Sequence, residues 1–216
     1  PTSLIAKLAE CSRRVGDRAA AKQYYARLLA ADTSSSSRSD VYYILASIAR
    51  EENNLEAAAR YLDASRAGST SPERRQKTTL EELELLLRGE DYKTALTRIE
   101  ELLPQVNNDS LKQHLQSRMI VSYFRMENLA EADKRSNAFV RANPKALDLA
   151  AEFEYERGRY HLRKEETDLA IRRLENVRSR YPRAPIMPEN IYWLARAFEM
   201  KGDAQHAIQL YDSLMI

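Results

Sequence analysis

Short polar breaks recur along this 216-residue chain at a nearly constant interval. They are Gly16-Asp17, Asn53-Asn54, Glu90-Asp91, Glu127-Asn128, Glu165-Glu166 and Gly202-Asp203, with steps of 37, 37, 37, 38 and 37 residues. Five residues after the first residue of each break stands an alanine: Ala21, Ala58, Ala95, Ala132, Ala170 and Ala207. A period of this size marks a repeat architecture, in which one supersecondary unit is copied and buries its apolar face mainly against its neighbours. That restricts the chain to a stack of similar units.

Each unit reads as two helices. Ahead of the break, apolar residues recur at helical spacing, as in Val41, Ile44, Leu45, Ile48 and Ala49, or Leu115, Met119, Ile120, Tyr123 and Phe124. Behind it the same period continues in Leu55, Ala58, Tyr61 and Leu62, in Ala95, Leu96, Ile99 and Leu102, and in Leu169, Ala170, Leu174 and Val177. We call the two segments of a unit its A and B helices. Ser71-Pro72 and Asn143-Pro144 each offer a capping side chain before a first-turn proline, which predicts the starts of the third and fifth A helices. The tracts Thr33–Ser37, Ala67–Thr70 and Val106–Asp109 read as polar connections between units. The repeated alanine has a steric role: antiparallel helices joined by a tight turn approach closely only where a small side chain stands at their crossing.

Charge excludes a further class. Lys and Arg number 34 against 32 Asp and Glu, evenly spread, so neither half has the positive surplus that nucleic-acid binding draws on; no nucleic-acid partner is expected. No run approaches the 18 or more apolar residues of a membrane span, and the opening residues do not read as a signal peptide. Lacking an initiator Met, the chain reads as an excerpt of a longer one. The single cysteine, Cys11, allows no internal disulfide and is expected as a small buried residue of the first A helix.

A search for chemistry returns little. His114, His161 and His206 fall in different repeats without a second ligand at helical spacing, so no metal site and no cofactor are expected. His161 is expected to pack. Glu81, Glu82 and Glu84, and likewise Glu154 and Glu156, are expected on solvated helix faces. With neither a phosphate loop nor a nucleophile motif, no catalytic residue is assigned and the chain is read as non-enzymatic.

One arrangement points toward binding. Arg13 and Arg14, Arg50, Arg88, Arg125 and Arg163 stand near the ends of successive A helices, where stacking aligns them, and the sixth unit breaks the series with Met200. Two readings stay open. Cations at a helix C-terminus are favoured by the helix dipole, and guanidinium groups along a groove are suited to grip carboxylates of a partner. Tyr43, Tyr155 and Tyr192 are expected on the same inner surface, and Tyr with Arg is the composition of binding hot spots. The candidate partner-binding set is therefore Arg50, Arg88, Arg125, Arg163, Tyr43, Tyr155 and Tyr192.

At Tyr192-Trp193-Leu194-Ala195-Arg196-Ala197-Phe198, followed by Lys201-Gly202-Asp203, Ala207-Ile208 and Tyr211, the sequence resembles the tetratricopeptide repeat family. Gly158, Pro182 and Pro144 fall at further family positions, and the small-residue site of the A helix is filled by Ala9, Ala46, Leu83, Ile120, Gly158 and Ala195. The resemblance implies an all-α right-handed superhelix of about six helix-turn-helix repeats, near 2–35, 39–71, 72–108, 109–143, 144–183 and 184–216, in one domain. It implies a scaffold whose groove takes a partner peptide or helix, with an acidic partner suggested by the arginines. The positions at which co-chaperones of this family hold a C-terminal carboxylate carry Ala6, Tyr43, Leu80, Ser117 and Tyr155, so that activity is not expected. Residues 144–216 also look like repeats of bacterial envelope proteins, which implies a structural subunit in the periplasm or envelope as the alternative; an adaptor module of a multidomain protein is another. Leu210, Leu214, Met215 and Ile216 leave an apolar end that a following helix or a second copy of the chain is suited to cover.

Overall fold

The computed structural model describes residues 2–31 and 34–215, Ser35 by its backbone alone. Thr33 of the first polar tract and Ile216 of the apolar end lie outside the described residues. Among the described residues the chain forms twelve α-helices and no strand, in agreement with the all-α class. They are α1 (Thr2–Arg14), α2 (Arg18–Ala30), α3 (Ser35–Glu51), α4 (Leu55–Gly68), α5 (Pro72–Arg88) and α6 (Tyr92–Leu102), then a short 3₁₀ turn at Leu103–Gln105. After it come α7 (Asp109–Arg125), α8 (Leu129–Ala142), α9 (Leu147–Arg163), α10 (Thr167–Arg180), α11 (Met187–Lys201) and α12 (Ala204–Asp212). Odd-numbered helices are the A helices and even-numbered ones the B helices. Their packing divides the chain into two compact units, one ending at Gln105 and the other starting at Val106.

The six breaks share one turn. Their first residues, Gly16, Asn53, Glu90, Glu127, Glu165 and Gly202, all adopt left-handed backbone with φ between 56° and 83°. The following residue donates its backbone N–H to the carbonyl five residues back, as from Asp17 to Ser12 and from Asp203 to Phe198, both at 2.9 Å. This 6→1 bond satisfies a carbonyl left open at the end of the A helix. The same residue then turns its side chain to the B helix. Asp17, Asn54, Asp91, Asn128 and Asp203 each accept from the backbone N–H three residues on, at 2.9–3.3 Å. Glu166 departs from this: its longer side chain makes no cap bond, and its Oε2 lies 2.6 Å from His161 Nδ1 instead. His161 is thereby packed, 8% exposed.

The repeated alanines are all at most 2% exposed. Opposite them, where the A helix carries Ala9, Ala46, Gly158 or Ala195, the two backbones run close over most of the hairpin. In the α5–α6 and α7–α8 hairpins, where Leu83 and Ile120 stand, the close approach is shorter. In the unit ending at Gln105, Leu45 and Ile48 join Tyr25 and Leu28, while Leu62 and Leu85 close over Ala46, Ala49 and Ala58. In the unit from Val106, Phe124, Phe139 and Phe153 form one cluster and Leu174, Val177 and Leu194 another. Each such aliphatic side chain, fully buried, contributes about 1.5–3 kcal/mol.

Local expectations are corrected at four places. The serine tract is mostly not a connection: Ser34 is the N-cap of α3, its Oγ accepting from Ser37 N, and Ser35–Ser37 form the first turn. Asn143 does not open the fifth A helix. It closes α8, with Nδ2 donating to the Phe139 carbonyl at 2.9 Å, and α9 starts at Leu147. Cys11 is exposed, because the apolar stripe of α1 passes through Ile5 and Ala9 on a different face. Glu82 and Glu156, expected in solvent, are each 2% exposed and held by arginines from neighbouring helices. Ser71 caps α5 ahead of Pro72 as predicted.

Candidate functional site

The candidate residues lie on A helices of both units. In the unit ending at Gln105, Tyr43 of α3 donates its hydroxyl to Glu81 Oε1 of α5 at 2.6 Å. Arg50 Nη1 reaches the other oxygen of the same carboxylate at 3.2 Å. The hydrogen bond to Glu81 pushes the Tyr43 phenol above its ordinary pKa. Lys77 and Arg74 stand 5.7 and 5.9 Å from the Tyr43 ring centre, and Arg74 is paired with Asp40 at 2.5 Å. Arg88, itself exposed, lies in the last turn of α5.

In the unit from Val106 the charges are denser. Arg118 of α7 donates from Nη2 to both oxygens of Glu152 on α9, each at 3.0 Å. Arg125 Nη2, one helix end further, lies 2.5 Å from Glu156 Oε1. Arg163 donates to the Phe124 carbonyl at 2.8 Å and stands 3.7 Å from Glu127, which Lys164 holds at 2.5 Å. Arg159 donates to the Tyr155 hydroxyl at 3.0 Å, and its guanidinium carbon lies 3.6 Å from the centre of the Trp193 ring on α11. Beside it Tyr192, 44% exposed, packs edge-on to Trp193 and against Tyr211.

Cations outnumber carboxylates here. Arg118, Arg125, Arg159, Arg163 and Lys164 face Glu127, Glu152 and Glu156. Burial, with Arg125 and Arg159 adding repulsion, pushes Arg163 below its ordinary pKa although Glu156 works against it. Burial likewise raises the Glu152 carboxyl, against Arg118. A half-buried surplus of guanidinium groups is an electrostatic arrangement that an added carboxylate relieves.

Of the seven residues singled out in the sequence, Arg125, Arg163, Tyr155 and Tyr192 lie in this unit and Tyr43, Arg50 and Arg88 in the other. Tyr155 is 4% exposed, so it supports Arg159 more than it presents its own ring. Arg88, Arg125 and Arg163 keep the repeat register, whereas Arg50 stands one residue early and turns to Glu81. Glu81 and Glu156, expected on solvated helix faces, hold Arg50 and Arg125, whereas Glu152, Arg118 and Arg159 were not singled out in the sequence. Register carries a signal for them, because Glu81, Arg118 and Glu156 occupy one repeat position with opposite charges.

The tetratricopeptide repeat family matches residues 12–72 and 155–214. The chain belongs to that family, whose members serve in general as scaffolds for protein interactions without catalysis. No curated protein matches by sequence. Among solved structures, a tetratricopeptide repeat protein from Parabacteroides merdae is similar at 15% identity over 99% of this chain and 78% of its own, with a TM-score of 0.65. The Rap conjugation gene regulator of the plasmid pLS20, solved in complex with the Phr* peptide, is similar at 11% identity over 80% of this chain and 51% of its own, with a TM-score of 0.61. BtubC from P. vanneervenii is similar at 12% identity over 99% and 88%, with a TM-score of 0.56. At these identities the likeness is one of fold, and it does not bear on the envelope resemblance of residues 144–216.

Proposed function

We propose that the chain is a binding scaffold whose A-helix face in the unit from Val106 takes an acidic peptide or helix of a partner protein. The observation that carries this reading is the surplus of guanidinium groups between α7 and α9, two of them, Arg159 and Arg163, having neutral or distant partners. A partner carboxylate entering here exchanges a repulsive neighbourhood for bidentate hydrogen bonds. Exposed Tyr192 and the Trp193 ring stacked under Arg159 add the apolar area that such a contact needs. That the pLS20 Rap regulator is solved with a peptide supports the use of this fold for peptides. Arg50 and Tyr43, already engaged with Glu81, contribute a weaker contact on the other unit.

The test is fluorescence anisotropy with a labelled hepta-glutamate peptide against a hepta-lysine control at low salt. The glutamate peptide binds, and Arg159→Gln with Arg163→Gln weakens it at least about tenfold, the loss of one charged hydrogen bond or more. Equal binding of both peptides, or unchanged affinity in the double variant, rejects the reading.

A further inference from the structure

Arg159 is held in place without being neutralised. Its guanidinium carbon lies 3.6 Å from the centre of the Trp193 ring and 5.8 Å from that of Tyr155, so one ring of α11 and one of its own helix flank it. Nη1 donates to the Tyr155 hydroxyl at 3.0 Å, and Tyr155, 4% exposed, is a fixed anchor. Stacking on an aromatic face leaves the in-plane N–H donors of a guanidinium free. With Nη1 engaged, the edge made by Nε and Nη2 is the one left. Among the described residues neither of those atoms has a hydrogen-bond partner, and neither is buried. That edge is a two-donor fork, matched to the two oxygens of a carboxylate.

The neighbouring cations are engaged differently. Arg118, Arg125 and Lys164 hold the carboxylates of Glu152, Glu156 and Glu127, whereas Arg159 makes no ion pair among the described residues. The repeat adds an independent comparison. In the next copy Arg196 takes the position of Arg159 and pairs with Glu199, three residues on, at 2.6 Å. Three residues after Arg159 stands Leu162 instead. The position of Trp193 is filled in the other copies by Lys7, Ile44, Glu81, Arg118 and Glu156, so the hairpin itself does not call for the stack. A guanidinium fixed at two points and open along one edge has lost side-chain freedom before any ligand arrives, which lowers the cost of binding one.

Resting on the reading of this face as an acidic-peptide site, we infer that Arg159 is its specificity-determining residue. It takes one glutamate or aspartate carboxylate side-on through Nε and Nη2, with Trp193 and Tyr155 as its positioning residues. Arg163 and the other cations attract the peptide, and Arg159 selects the carboxylate by geometry.

The experiment is a titration with the labelled hepta-glutamate peptide at low salt, read by anisotropy and by the emission of Trp193, the only tryptophan of the chain. In the wild type both signals change with one dissociation constant. Arg159→Lys keeps the charge but loses the fork, and weakens binding at least about tenfold. Arg163→Lys, at a residue that serves by charge, stays within about threefold of the wild type. Trp193→Leu weakens binding about tenfold, and Trp193→Phe, which keeps a ring to stack on, restores most of the loss. Tyr155→Phe removes only the anchoring oxygen, weakens binding about threefold, and serves if Trp193→Leu fails to fold. Wild-type affinity in Arg159→Lys, equal losses in Arg159→Lys and Arg163→Lys, no rescue by Trp193→Phe, or binding with Trp193 emission unchanged each overturns the inference and leaves the acidic-peptide reading standing. Failure of the peptide to bind the wild type overturns both.

Discussion

A β-carbon added to Gly158 would sit 2.7 Å from Cδ2 and 2.8 Å from Cγ of Leu174, which is itself fully buried between α9 and α10. This contact fixes the distance between the helices of the fifth hairpin, and Leu174 has no open space into which to move. Gly158→Ala gains up to about 1 kcal/mol in helix propensity. It loses about 1–3 kcal/mol to overpacking. The expected net result is destabilisation by up to roughly 2 kcal/mol, read as a lowered urea midpoint; a raised midpoint contradicts the packing described.

The turn residues predict a change of opposite sign. Glu90 has φ of 61°, a region that disfavours a side chain by about 1–2 kcal/mol. Glu90→Gly removes that strain while adding some freedom to the unfolded chain. A net gain of about 1 kcal/mol is expected, measured by thermal or denaturant unfolding. Glu127→Gly, at φ of 60°, gains less, because Glu127 also holds Lys164 at 2.5 Å.

Alanine crossings and the serine tract respond differently. Ala132→Leu and Ala170→Leu place a branched side chain at fully buried positions and are expected to cost about 1–3 kcal/mol. Ser34→Ala removes an N-cap and is expected to cost about 1 kcal/mol. Ser36, exposed in the first turn of α3, is expected to tolerate alanine silently. Equal shifts at Ser34 and Ser36 speak against the cap.

Two carboxylates give opposite pH dependences. Hydrogen bonds from Arg13 and Arg14 lower the Glu10 carboxyl from 4.5 to about 2. Its contribution is present above pH 4.5 and disappears as pH falls toward 2. The Glu10 side-chain carbonyl is expected to titrate near 2 by NMR, and to return to the ordinary range when both arginines are replaced by alanine. Glu152 is raised by burial from the same 4.5, so the folded state binds its proton more tightly than the unfolded one. Its effect on stability is most favourable below 4.5 and declines as pH rises toward the raised value. Glu152→Gln is expected to flatten that decline; a steeper curve contradicts the sign.

The hairpins were legible in the sequence because their causes are local. A left-handed residue and an alanine at fixed offsets make the same turn six times, five of them with a short capping side chain. Helix identity, the Ser71 cap and the small residues at the crossings follow from such short-range rules. Asn143 misled because a capping side chain before proline fits the end of one helix as well as the start of the next, and only the course of the backbone from Asn143 to Leu147 separates the two.

The sequence alone therefore determined the repeat, the helix pairs and the membership of residues in A or B helices, all set by neighbours within a turn or two. Tertiary structure decided what the charged residues do. Whether Arg50 or Arg163 points at a partner or at its own chain depends on carboxylates about thirty residues or more away, Glu81 and Glu127. The burial of Glu82 depends on where α4 and α6 stand over α5. Electrostatic fate is a property of the packed neighbourhood, because desolvation and pairing arise only once distant segments of the chain meet.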